Sequence, residues 1–161
     1  MLQLTPAKKG IVTALTMMTS SICTFYLFHL PDNGNSQYLI LSEFIGGMLW
    51  VLLSFGKENP GSSFKAYFNT GFKAFVMITF LMVVYAYVFY KLNPQIMEEG
   101  IRMNDELIRK EGNKTAAEIA ANDIQLRNIY MPMMLSLTTI KYLFLGALST
   151  AITGGLLSQK K

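Results

Sequence analysis

Two residue types that carry much of protein chemistry are almost missing. The 161 residues hold one cysteine, Cys23, and one histidine, His29. A lone thiol excludes an internal disulfide, and so few soft ligands leave no metal-binding array. No Walker loop, nucleophile elbow or zinc-protease pattern is present either. Acidic residues are equally sparse along most of the chain. Only Asp32, Glu43 and Glu58 fall outside residues 93–128, which hold the other seven of the ten acids. Basic residues interleaved with aromatics are absent, which excludes nucleic acid as a partner; the net charge of +4 comes largely from short runs of lysine. From these absences no cofactor, no metal and no catalytic reaction are expected.

Apolar residues are what the chain has in abundance, at 52%, with eleven Met and eleven Phe. They gather into four runs at about 10–30, 37–56, 66–91 and 131–157. A helix needs about 20 predominantly apolar residues to cross the hydrocarbon of a bilayer. The fold class expected is therefore an all-α membrane protein with four transmembrane helices, forming a single domain over 1–161. The first run follows Lys8-Lys9 but contains no small-x-small cleavage site, and Ile22 before Cys23 is too large for lipoprotein processing, so the run is expected to be retained. Cys23 then packs as a small hydrophobe.

Residues 93–128 read as a helical hairpin outside the bilayer or along its surface, inserted between spans three and four. Asn93-Pro94 has the form of an N-cap followed by a first-turn proline. Gly112 is a fitting C-cap, and Thr115-Ala116-Ala117-Glu118 is a capping box that opens the second arm, ending near Tyr130. Asn113-Lys114-Thr115 also matches a glycosylation sequon by spacing alone. The hairpin serves either as a solvated cover for its own membrane domain or as a surface for a partner.

Small residues mark where helices can approach closely. Thr13, Thr16, Ser20 and Thr24 line one side of the first span, and Ser42, Gly46 and Gly47 form a patch on the second. Gly146, Thr150 and Gly154 make a continuous ridge on the fourth, with Ala147, Ala151 and Gly155 beside it. The partner of that ridge is expected to be the first or second helix, or a second subunit. Glu43 and Lys141 are the ionisable residues deepest in predicted spans. Their spans run in the same direction and their depths differ by about 6 Å at 1.5 Å per residue, so an intramembrane ion pair is expected. It would be structural, or a coupling site for protons, ions or a lipid phosphate.

Lysines 8, 9, 57, 65, 160 and 161 flank spans on the side of the termini. By the positive-inside rule both termini are then cytoplasmic, with Tyr26, Tyr38, Tyr87, Tyr90 and Tyr130 gathered at the opposite interface.

Ser63-Phe64-Lys65-Ala66-Tyr67-Phe68-Asn69-Thr70-Gly71-Phe72 resembles the S-F-x-x-A-F-x-x-G-F opening of the third helix in domain-of-unknown-function family 4199, four-helix membrane proteins of Bacteroidota. Tyr87-Val88-Phe89-Tyr90-Lys91-Leu92-Asn93-Pro94 is similar to that family's Y-x-F-Y-K-x-x-N-P, one residue shorter. The acidic amphipathic insert and the Gly/Ser-rich last span ending in lysines complete the likeness. The resemblance implies a bacterial inner-membrane protein without an assigned activity. It further implies a non-enzymatic accessory or scaffold role beside a family 2 glycosyltransferase, in envelope or polyprenyl-linked sugar assembly. From the residues alone, self-association and a small transporter or lipid-handling protein built on Glu43 and Lys141 stay open. Membrane lipid is a partner in every case.

Overall fold

The computed structural model describes residues 4–27, 34–112 and 114–159, without the side chains of 34–36. His29, Asn113, Lys160 and Lys161 lie outside them. Among the described residues the chain is helical throughout: α1 Pro6–Ile22 continuing into a π turn Cys23–Leu27, α2 Gly34–Glu58, α3 Phe64–Leu92, α4 Pro94–Glu111 and α5 Ala116–Gln159. Four of them are long and apolar enough to cross a membrane, and only 22–33% of each span's most apolar window is buried within the chain. Leu15, Phe80, Ile140, Phe144 and Leu156 are all more than half exposed. Water would penalise such faces, whereas lipid tails match them.

Several boundaries differ from expectation. α1 starts earlier, because Thr5 accepts from the Lys8 amide and Pro6 occupies the first turn. Its end widens into a π turn where Thr24 Oγ1 donates to the carbonyls of Ser20 and Ser21, drawing the ladder out of α-helical register. α2 runs on to Glu58, past Gly56, and the break falls at the turn containing Gly61, whose φ is +76°. Asn93 does not cap α4 with its side chain; its Nδ2 donates back to Phe89 O of α3. The Gly112 cap is left-handed as expected (φ 68°), and the capping box is reciprocal, with Thr115 N donating to Glu118 Oε2 and Glu118 N to Thr115 Oγ1. The boundary expected near Tyr130 does not exist. α5 continues for 44 residues with Asn128 and Pro132 both inside it, since a proline bends a helix without necessarily ending it. At about 1.5 Å per residue it is twice the length a bilayer needs, so its apolar second half alone suffices to span.

Two compact units can be distinguished, one of residues 1–82 with 139–161 and one of 83–138. In the first, glycines set the helix contacts. A Cβ on Gly10 would lie 2.7 Å from Ala74 O, so α1 and α3 touch backbone to backbone. Gly47 receives Thr13, Gly71 receives Thr150, and Gly146 receives Phe75. The ridge of Gly146, Thr150 and Gly154 therefore packs on α3 (Gly71, Phe75 and Tyr67), rather than on the first or second helix or another subunit. α3 supplies the complementary shape, Gly71 opposite Thr150 and two aromatics beside the glycines. Lys9 turns inward at the start of α1, 3.7 Å from Glu58 Oε1 and 5.8 Å from the Trp50 ring centre.

The second unit holds the end of α3, α4 and the first part of α5. Tyr130 wedges against Gly100 and meets Tyr90 edge-on. Ile101 and Ile119 are buried, and Arg127 bridges to Glu98 across the two arms.

Gly10→Ala should destabilise the protein by about 1–3 kcal/mol, because the opposing atoms are backbone and cannot move aside. Gly46→Ala, where nothing lies within 4 Å, should be neutral; thermal unfolding of both variants in mild detergent checks the contrast. The hydrogen bond from Arg127 holds the Glu98 carboxyl below the usual carboxylate range. The stabilisation from that bridge is therefore full above the ordinary glutamate pKa and lost as pH falls through the lowered value. Unfolding followed from pH 7 down to about pH 3 should show an acid-sensitive component that Glu98→Gln diminishes.

Candidate intramembrane cleft

α1 and α2 are antiparallel, pinned at one end by the Lys9–Glu58 ion pair. Further along, Ser20 Oγ donates to Glu43 Oε1 at 2.5 Å. Between these points lies an open cleft of about 300 Å³, lined by Val12, Thr13, Thr16, Glu43, Gly46, Gly47 and Trp50. Gly47 is filled by Thr13, but Gly46 faces empty space. Thr13 and Thr16 donate to Lys9 O and Val12 O one turn back, which satisfies their hydroxyl protons within α1. Ser20 instead reaches across to α2, immediately before the π turn.

Glu43 is half-buried. Its Oε2 is buried and has no hydrogen-bond partner among the described residues. The ion pair expected between Glu43 and Lys141 does not form. Glu43 takes its hydrogen bond from α1, and Lys141 Nζ lies 4.9 Å from the Tyr142 ring centre. Their sequence neighbours explain why: buried Phe44 and Tyr142, 5.3 Å apart, occupy the contact between α2 and α5, leaving Lys141 on the exposed flank. The depth match was right, and the azimuth of the lysine was not.

Of the other site residues, Gly46 and Gly47 lie with Glu43 in the cleft, whereas Gly146, Thr150 and Gly154 line the α3 contact. The buried Thr150 hydroxyl has no hydrogen-bond partner either. No group of three His, Cys, Asp or Glu side chains is placed for a metal ion among the described residues.

The conspicuous sequence segments are also explained. Tyr67 is buried beneath Gly56 and Gly154, Gly71 admits Thr150, and Asn93 ties the start of α4 to α3. A family model described as "protein of unknown function (DUF4199)" matches residues 8–159. The chain belongs to that family. Comparisons with curated proteins and with solved structures find no match. The motifs that mark this DUF4199 chain thus serve helix packing, and the cleft lies apart from them, on α1 and α2.

The Ser20–Glu43 contact could have been read from the sequence. In an antiparallel hairpin, residues equally far from the turn face each other, and Pro31 lies almost midway between these two. Ser20→Ala should cost about 1–3 kcal/mol by leaving a second carboxyl oxygen unsatisfied. Adding Glu43→Leu should restore most of that loss; the non-additivity is read from unfolding of the two single variants and the double one.

Proposed function

We propose that this DUF4199 protein is a non-enzymatic accessory subunit of the bacterial inner membrane that holds another membrane protein along the α1–α2 cleft. The observation that carries this reading is Gly46. It is a small residue in a cleft with small neighbours, and no side chain fills the space in front of it. In lipid, where tails are as apolar as leucine, helix association depends on such close-fitting grooves. On α5 the ridge of Gly146, Thr150 and Gly154 is already occupied by α3, while Gly155 beside it is open. The flanking lysines support cytoplasmic termini. The family resemblance supports a membrane glycosyltransferase as the partner to test first.

A second reading, a small transporter or lipid-handling protein, is favoured by one observation. The cleft combines a mainly apolar lining with a single carboxyl group, as a site for an amphiphile would.

Gly46→Leu separates the two. The tagged protein is extracted in mild detergent and what co-purifies is quantified by mass spectrometry. Loss of a stoichiometric membrane protein, with the fold intact, is expected for the accessory subunit. Retention of that protein, together with loss of bound lipid, would instead establish the second reading.

A further inference from the structure

We propose that the lipid-facing side of α3 binds an anionic phospholipid. Lys73 anchors the phosphate, Asn69 is a second donor, and Val76 and Phe80 take an acyl chain. The site is separate from the α1–α2 cleft and does not depend on the accessory-subunit reading.

Two lysines at one level of the membrane unit are treated in opposite ways. Gly10 of α1 packs on Ala74 of α3. Lys9 and Lys73, each one residue earlier, therefore stand at the same depth on helices that run in the same direction. Helical side chains lean toward the start of their helix, so both ammonium groups reach toward the same membrane face. Lys9 is only 7% exposed and meets Glu58 and the Trp50 ring. Lys73 is exposed, with neither a hydrogen bond nor an ion pair among the described residues. The chain has no acid to spare for it. Outside residues 93–128, Glu58 pairs with Lys9, Glu43 accepts from Ser20, and Asp32 lies outside the described residues.

Depth makes the missing counter-charge costly. Lys73 is nine residues into α3, about 14 Å along it. A cation on a lipid-facing surface at that level needs a partner or must reach the head groups. Lys91 and Lys141 each lie against a tyrosine ring. Lys73 has only the lipid phosphates at the boundary.

The surface around it has the order of a phospholipid. At 100° per residue, Lys65, Asn69, Lys73, Val76 and Phe80 fall within an arc of about 80°. That arc lies opposite Gly71, which carries the contact with α5. All five side chains are exposed, Phe80 by 63%. The polar three occupy the part toward the start of α3, and the apolar two the part toward mid-bilayer. Phosphate at the boundary and acyl chain below it match that sequence. Two lysines without a carboxylate select a head group of net negative charge, because a zwitterionic one brings an ammonium that finds no acid.

The chain purified in neutral detergent is offered equal amounts of phosphatidylglycerol and phosphatidylcholine, and native mass spectrometry counts the lipid each molecule retains. One phosphatidylglycerol should be retained in preference. Lys73→Gln should weaken retention about five- to tenfold, Lys73→Arg should keep it, and Asn69→Leu should fall between them. Lys110→Gln removes the same charge from exposed α4 and should change nothing. All these positions are exposed, so unfolding without lipid should stay level across the set. Equal retention of the two lipids, or equal effects of Lys73→Gln and Lys110→Gln, overturns the site. Displacement by inorganic phosphate at the lipid's own concentration also overturns it, since the acyl chain would then add nothing. If Lys73→Gln releases a membrane protein and leaves the lipid bound, the counter-charge is a partner's carboxylate and the proposal falls. Gly46→Leu should retain the phosphatidylglycerol whether or not it loses a protein partner. Loss of the lipid from that variant would place it in the cleft and overturn the α3 site.

Discussion

Close approach of helix backbones is the constraint on which the membrane unit depends. In a bilayer the hydrophobic effect does not draw apolar helices together, because leaving lipid gains nothing. Attraction must come from dispersion across short distances, and short distances require glycine. Gly10 against Ala74, Gly47 against Thr13, Gly71 against Thr150 and Gly146 against Phe75 are four instances of one solution. Each glycine removes a Cβ so that a neighbour's atoms occupy its place. The large side chains are left free to face outward, which explains why so few residues of each span are buried.

Against that background two helical glycines stand out among the described residues, Gly46 in the α1–α2 cleft and Gly155 on α5, with nothing within 4 Å of their Cβ positions. In the cleft Gly47 is covered by Thr13, and only Gly46 is open. The cleft also holds a carboxyl group of which only one oxygen is satisfied. Gly46 and the acid lie on successive turns of α2. The α5 ridge shows what the same residue types look like when the occupant belongs to the chain itself.

Much of this architecture was legible in the sequence. Hydropathy placed the four spans because length and apolarity are local properties. The capping box and the Gly112 cap were readable because they involve residues a few positions apart. What escaped reading depended on azimuth and on choice of neighbour. Lys141 has the right depth for Glu43 but lies one residue from the contact, and one residue is a rotation of about 100° on a helix. The Gly146 ridge was recognisable as a ridge, yet nothing local said that α3 rather than α1 or α2 would meet it. α5 passed through an expected boundary because a proline alone bends a helix more readily than it ends one when flanking residues favour helix. Asn93 had the form of a cap and spent its amide on the preceding helix.

The bridge between Lys9 and Glu58 has a consequence in time. Lys9 lies at the beginning of α1 and Glu58 at the last residue of α2, so this ion pair cannot form until both helices and the turn between them have been made. Until then the long stem of Lys9, near the end of the first span, lets its ammonium reach the head-group boundary. Once closed, the pair ties the start of α1 to the end of α2. Gly10, one residue along from Lys9, packs on Ala74 of α3, which is made later still. The order in which the chain is made thus matches the order in which its contacts can close.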